Sequence, residues 1–254
     1  MVNSMEWIIL FGGAGREACV LRMLNEGVKV LAIIIPTIRS AKLELAVSKL
    51  RGLPCEVIEV DKDSLSSVVS TFYGNSLLSI GFPYLLPSHL LKHFQPAINM
   101  HPTLLPRYRG ATTGAYILIN NEQESGSTVH HLTEYMDRGD IVRQTKVRLT
   151  PFDTVRSVQR KVYECEAQLL IEALDLLECG AKPYPQNETS ASEYPQKRTP
   201  AHSKIDPTLS LLDLFNTIRA CDSEEFPAYF IFHGEKVCIK LWRPDKPSSE
   251  SDLI

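Results

Sequence analysis

Residues 7–36 read WIILFGGAGREACVLRMLNEGVKVLAIIIP. The stretch opens on an apolar run, residues 7–11, that stops at Gly12-Gly13. A helical segment follows with Val20, Leu21 and Leu24 on one face. A second apolar run, residues 28–35, is rich in β-branched side chains and closes at Pro36. Unbroken apolar runs of this length suit strands buried on both faces, as in a parallel sheet. Their separation by a helix-length segment predicts a strand–helix–strand unit. The same rhythm continues outward. Residues 55–60 and 76–80 read as third and fourth strands, and residues 97–100 as a fifth that ends at His101. Residues 128–133 and 141–149 read as later strands around a turn at Asp137-Arg138-Gly139. The expected fold is α/β, a doubly wound and mostly parallel sheet.

A long helix is expected over residues 151–179. Thr150 suits the N-cap, Pro151 the first helical position, and Asp153 the positive helix end. Gly180 suits the position just past the C-terminus. Residues 182–207 are rich in Pro, Ser, Thr and Asn without periodicity, and read as a linker. Leu211, Leu214, Phe215 and Ile218 then mark an amphipathic helix. Residues 229–232 and 236–241 flank His233-Gly234-Glu235 as a β-hairpin. The expected division is a catalytic domain over 1–182, a linker over 183–207 and a small C-terminal helix-plus-hairpin module over 208–254.

Bulk properties narrow the function. The 254 residues are 44% hydrophobic, enough for a sizeable core. The formal charge is −3 with no basic run, so nucleic acid is not the expected partner, because phosphate neutralisation needs clustered Lys and Arg. No apolar run approaches the roughly 20 residues that span a bilayer, so no membrane partner is expected. The first seven residues lack the features of a secretory signal, and a cytoplasmic location is expected. None of the six cysteines forms a CxxC pair or lies at ligand spacing from a histidine, so no metal site is expected.

Two constellations could carry chemistry. Gly12, Gly13 and Gly15 lie between the first strand and first helix, where glycines let backbone approach a phosphate, or simply make a tight turn. Residues 98–110 read Ile-Asn-Met-His-Pro-Thr-Leu-Leu-Pro-Arg-Tyr-Arg-Gly. Asn99 and His101 are two apart on one strand, so they share a face. They sit at the strand's C-terminal end, where open α/β sheets bind ligands. Pro102 and Pro106 stiffen the loop that follows. An amide donor beside an imidazole can polarise a carbonyl and move a proton. The same pair could also cap a strand end and serve a turn.

The block Asn99-Met100-His101-Pro102-Thr103-Leu104-Leu105-Pro106, followed by Tyr108-Arg109-Gly110, resembles the N-x-H-P-S-L-L-P-x-Y-R-G signature of 10-formyltetrahydrofolate-dependent formyltransferases. Gly126-x-Thr128-Val129-His130 is similar to the family's G-V-T-I-H strand, and Asp137-x-Gly139-x-Ile141 to its D-T-G-P-I turn. Thr103 stands where Ser is usual and keeps the hydroxyl. Thr113 stands where Pro is frequent. Arg138 and Asp140 replace Thr and Pro of the turn and keep its carboxylate. The resemblance spans about residues 5–180.

The resemblance implies a Rossmann-like catalytic domain, 10-formyltetrahydrofolate as the donor and Asn99, His101 and Asp137 as the catalytic trio. Asn99 would donate to the oxyanion. His101 would stabilise it or take the amine proton. Asp137 would orient His101 or relay protons. The resemblance places the folate pocket at Gly81, Phe82, Tyr84, Leu85, Leu86, Leu132, Tyr135 and Met136. The tail is similar to that of nucleotide-sugar N-formyltransferases, through Arg198-Thr199-Pro200, Ile218-Arg219-Ala220 and Pro227-Ala228-Tyr229-Phe230. This implies a nucleotide-linked amino sugar as acceptor and a homodimer. The acceptor-binding residues expected on this basis are Gly12, Gly13, Gly15, Thr103, Tyr108, Arg109, Gly110, Arg198, Arg219 and Tyr229. The alternatives are an enzyme like glycinamide ribonucleotide transformylase and a non-catalytic nucleotide- or folate-binding relative.

Overall fold

The structure is a computed structural model that describes residues 5–111, 113–194 and 196–248. The apolar runs form strands as read: β1 (Glu6–Phe11), β2 (Lys29–Pro36), β3 (Glu56–Val60), β4 (Ser76–Ile80) and β5 (Ala97–His101). Helices α1 (Glu17–Asn25), α2 (Ala41–Leu50), α3 (Leu65–Ser70) and α4 (Ser88–Leu91) connect them. Then come β6 (Arg109–Gly110), α5 (Gly114–Ile119), β7 (Glu124–His131), β8 (Ile141–Arg148) and the long α6 (Val155–Glu178). The chain closes with β9 (Glu193–Tyr194), α7 (Leu211–Arg219), β10 (Ala228–Phe232) and β11 (Glu235–Ile239).

Seven strands form one sheet in the order β3-β2-β1-β4-β5-β7-β8. The first five run parallel, and β7 pairs antiparallel with β5. The expected doubly wound, mostly parallel sheet is therefore present. Its strand order reverses between β1 and β4, the point where such sheets open a crevice for ligands. Both faces are covered, as unbroken apolar strands require. Trp7, Ile9 and Phe11 pack with Met23 of α1, Val47 of α2 and Leu170 and Ala173 of α6. Ile8 and Leu10 point the other way, into a core with Leu65, Val69, Leu90 and Phe94. Burying each such side chain contributes about 1.5–3 kcal/mol.

The chain forms two compact units, each assembled from separated segments. One gathers residues 1–101, 127–145 and 163–188; the other gathers 102–126, 146–162 and 189–254. In the second unit β6 pairs with β9, and β10 with β11. Ile205, Leu214, Ile218, Cys221 and Ala228 form its small core.

Three elements depart from the reading of the sequence. Helix α6 begins at Val155, and Pro151 lies in the turn before it. The Asp153 carboxylate accepts from Thr150 N–H (2.7 Å) and from the Ser157 hydroxyl (2.6 Å), which holds the chain in that turn. Thr154 N–H donates to Ser157 Oγ at 2.9 Å and opens the helix in its place. Strand β7 starts four residues before the expected 128 and stops at His131. Its buried Ser125, Ser127, Thr128 and His130 give it a polar composition that hides a strand. The stretch read as a linker carries β9 and two short 3-10 turns, Glu188–Ser190 and Pro200–Ser203.

Candidate active site

Strand register decides which side chains meet. Asn99 of β5 lies opposite His130 of β7, and His101 opposite Thr128. Cross-strand partners share a face, so Asn99, His101, Thr128 and His130 project together. Ile98, Met100 and Val129 project to the opposite face and join the core beneath α6. The pleat thus puts the polar set on one side of the sheet and the apolar set on the other.

The loop after β7 returns a carboxylate to this face. Asp137 Oδ2 lies 3.5 Å from His101 Nδ1, and Asp137 Oδ1 lies 3.5 Å from His130 Nε2. One carboxylate therefore spans two imidazoles, with His101, His130 and Asp137 side chains exposed by 7%, 1% and 10%. His130 Nδ1 lies 2.9 Å from the His131 carbonyl, to which it can only donate. In the neutral ring Nε2 then accepts, and Asn99 Nδ2 is 3.1 Å away to donate to it. That contact uses one of the two Asn99 amide hydrogens. With Asp137 on the Nδ1 side of His101, Nε2 is the basic nitrogen of the neutral ring.

The turn carrying Asp137 is tightly specified. Asp137 takes a left-handed backbone (φ 55°), tolerable for Asp and costly for bulkier residues. Gln186 Nε2 donates to the carbonyls of Asp137 and Gly139, each at 2.8 Å. A Cβ on Gly139 would sit 1.9 Å from the His131 carbonyl oxygen, against backbone that cannot yield. Gly139→Ala is therefore expected to displace Asp137 and to lower kcat about a hundredfold, the effect of a misplacement near 1 Å. Steady-state kinetics at matched folding, checked by circular dichroism, measures this.

The loops after β1 and β4 approach closely. A Cβ on Gly12 would lie 2.6 Å from the Gly81 carbonyl oxygen, and one on Gly81 only 3.0 Å from Gly13 Cα. Gly12 N–H donates to the Ile80 carbonyl (3.0 Å). Packing alone therefore requires glycine at 12 and 81. In the loops read as the folate pocket, Phe82, Tyr84, Leu86 and Leu132 pack on the core beneath. Leu85, Tyr135 and Met136 are exposed by 71%, 62% and 43%.

The second unit gives several expected ligand contacts structural occupations. Arg109 is 2% exposed, with its guanidinium 3.6 Å from Glu193 and its N–H donating to the Ser192 carbonyl. Arg219 is 3% exposed and donates to Asn216 Oδ1 and to the carbonyls of Thr150 and Asp153. Thr103 is fully buried, its hydroxyl 3.3 Å from the carbonyls of Arg107 and Tyr108. The Tyr108 hydroxyl donates to Glu122 at 2.6 Å. Burial and that carboxylate push the phenol up to about 12, so it stays a donor. Gly110 has φ 110° and pairs with Tyr194. Arg198 and Tyr229 are half-buried. Arg198 donates to the His202 carbonyl and lies over the Tyr116 ring, and Lys236 Nζ sits 4.2 Å over Tyr229.

Two site residues escape a reading of the sequence. His130 was visible as part of a strand, but its partnership with Asn99 depends on antiparallel register. Gln186 lies in a stretch of linker-like composition. No group of three or more His, Cys, Asp or Glu among the described residues could hold a metal ion. No helix among them is long and apolar enough to cross a membrane.

The family described as formyl transferase matches residues 58–174. Methionyl-tRNA formyltransferase of Streptococcus uberis is 31% identical over 248 residues, covering 92% of this chain and 79% of that protein. A sugar N-formyltransferase from a Shewanella species superposes with a TM-score of 0.73 at 22% identity, covering 93% of this chain and 97% of that one. The N-formyltransferase of Helicobacter canadensis, solved with folinic acid and dTDP-3-aminofucose, gives 0.68 at 20% identity over 93% and 86%. A relative matched along most of both chains, around the Asn99–His101 strand and the Asp137 turn, establishes that this chain belongs to the formyltransferase family and is an N-formyltransferase.

Proposed function

We propose that the enzyme transfers a formyl group from 10-formyltetrahydrofolate to the amine of an amino-deoxysugar carried on a nucleoside diphosphate. The chemistry rests on one observation: Asn99, His101 and His130 share a face, and Asp137 lies within 3.5 Å of both imidazoles. The donor supplies an electrophilic formyl carbon. The loops at 81–86 and 132–136 suit a flat ring system, because Leu85, Tyr135 and Met136 leave apolar surface uncovered. Asn99 offers its remaining amide hydrogen to the formyl oxygen as negative charge develops there. His101 Nε2 takes the proton released by the attacking amine and returns it to the donor's departing nitrogen, whose bond to the formyl carbon breaks to release tetrahydrofolate. Asp137 holds the resulting imidazolium, and His130 holds the Asn99 amide in register.

The acceptor assignment is supported by the extent of structural likeness, which covers 93% of this chain and 97% of the Shewanella sugar enzyme. The Helicobacter neighbour's own ligands, folinic acid and dTDP-3-aminofucose, are of the proposed classes. We assign residues 208–254 a part in acceptor recognition, with the half-buried Tyr229 of this module and Arg198 of the preceding linker as contacts. The exposed Ile231, Phe232, Val237 and Trp242 suit a homodimer. A second reading, a methionyl-tRNA acceptor, is favoured by the 31% identical relative and disfavoured by the charge of −3.

Two measurements test the proposal. Folinic acid at a hundredfold excess over its Kd is expected to stabilise the fold by about 2.7 kcal/mol, a rise in Tm of roughly 5–10 °C. No shift would remove the folate donor. The purified enzyme with 10-formyltetrahydrofolate is then offered dTDP-3-aminofucose, glycinamide ribonucleotide and methionyl-tRNA separately. Gain of one formyl group by the sugar alone is the expected result. Formylation of either other acceptor alone would overturn the sugar assignment.

A further inference from the structure

Beneath the catalytic strand, on the face opposite Asn99 and His101, lies a buried charged cluster. Arg16, which ends the glycine loop after β1, is 3% exposed, and Glu166 of α6 is fully buried. They pair bidentately: Arg16 Nε donates to Glu166 Oε2 (2.5 Å) and Nη2 to Oε1 (2.6 Å). Arg16 Nη2 also donates to the Met100 carbonyl at 3.1 Å. Ser127 Oγ lies 2.8 Å from Glu166 Oε1 and 2.9 Å from the His101 carbonyl oxygen. The cluster therefore reaches two successive carbonyls of β5, at the residues that end the strand.

Stability does not account for this arrangement. Desolvating two charges offsets most of what their pairing returns, and well-packed apolar residues often do as well or better. What the pair supplies is geometry, since a guanidinium fork fixes direction as well as distance. The arginine stem is equally constrained. A Cβ on Gly13 would meet Arg16 Cδ at 2.9 Å, and one on Gly81 would lie 3.6 Å from Arg16 Nη1. One side chain thus runs beside the loops after β1 and β4 and bonds the end of β5.

We propose that Arg16, Glu166 and Ser127 are positioning residues for formyl transfer, bracing the Met100 and His101 carbonyls so that Asn99 and His101 act from fixed positions. The proposal rests on the catalytic roles given above, and none of the three residues touches the reactants. A strand end free to shift by a fraction of an ångström would loosen the 3.5 Å contact of His101 with Asp137. The cost would fall on kcat, with ligand binding largely kept.

The test uses the full chain in three variants: Arg16→Lys, Ser127→Ala and the double replacement Arg16→Met with Glu166→Met. Each is examined for Tm, for the NMR titration of the His101 imidazole assigned against His101→Ala, and for kcat and KM with 10-formyltetrahydrofolate and dTDP-3-aminofucose. The double variant is expected to stay folded, to lose at least about tenfold in kcat with donor KM within about twofold, and to shift the His101 titration while exposed His89 stays unchanged. Arg16→Lys and Ser127→Ala should show the same pattern more weakly. Wild-type kcat and an unmoved His101 titration in the folded variants would overturn the proposal. Should the double variant not fold, the two single variants decide by the same criteria. If the wild-type enzyme ignores this sugar, the acceptor assignment alone fails, and the titration of His101 still decides the brace.

Discussion

His101→Ala is expected to lower kcat by about three orders of magnitude or more while folinic acid binding survives. Proton transfer by a positioned side chain is worth about two to four orders of magnitude. Here no second imidazole can take over. His130 Nδ1 is committed to the His131 carbonyl, and its Nε2 faces Asn99 and Asp137. The replacement also leaves Asp137 Oδ2 without the imidazole that it faces at 3.5 Å. The fold should hold, because the surrounding strand is fixed by its pairings with β4 and β7. Steady-state kinetics, circular dichroism and folinic acid calorimetry check the three parts of the expectation. Turnover near wild type in the folded variant would remove His101 from the mechanism.

Asp137→Asn is the second large loss, about two to three orders of magnitude in kcat. The amide is the same size and tolerates the left-handed backbone at this position, so Gln186 and Gly139 can still hold the turn. What disappears is a negative charge shared between two histidines. Without it the His101 imidazolium formed on accepting the amine proton has no counter-charge. The amide nitrogen can also turn towards His101 Nδ1 and select the tautomer protonated at Nε2. Unchanged KM for the donor with a depressed kcat is the expected signature. An equal loss in donor affinity would point to a displaced folate loop instead.

How far the sequence foretells this structure depends on the kind of residue. Strands β1, β2 and β4 are legible because both faces are largely buried and their side chains are mostly apolar, whereas edge strand β3 is marked only by Val57, Ile58 and Val60 between exposed glutamates. Strand β7 begins four residues before its apolar pattern because Ser125, Ser127, Thr128 and His130 are buried by virtue of partners, and partners are not written in composition. Asn99, His101 and Asp137 stood out through a long motif, whereas His130 required the antiparallel register that sets it opposite Asn99. Arg109 and Arg219 illustrate the converse. A basic residue near a ligand motif suggests an anion contact, yet Arg219 meets two backbone carbonyls and two asparagine side-chain oxygens, most of which only a folded chain brings within reach. The start of α6 moved for a similar reason, since the Asp153 carboxylate holds Thr150 in a turn outside the helix.

The segment after α6 bears on how such enzymes could exchange parts. Tyr184 bridges to Ile141, Gln186 clamps the Asp137 turn, and Glu193 and Tyr194 pair with Arg109 and Gly110. Within about ten residues the chain is stitched first to the catalytic turn and then to the strand after the Asn99–His101 motif. A chimaera joined at residue 183, to swap one acceptor preference for another, would replace the glutamine that holds the turn bearing Asp137, the carboxylate proposed to act in catalysis. Recombination there would usually yield inactive hybrids whatever the incoming module bound. Joints beyond Tyr194 keep both sets of stitches, and that is where a graft of new specificity has room to succeed.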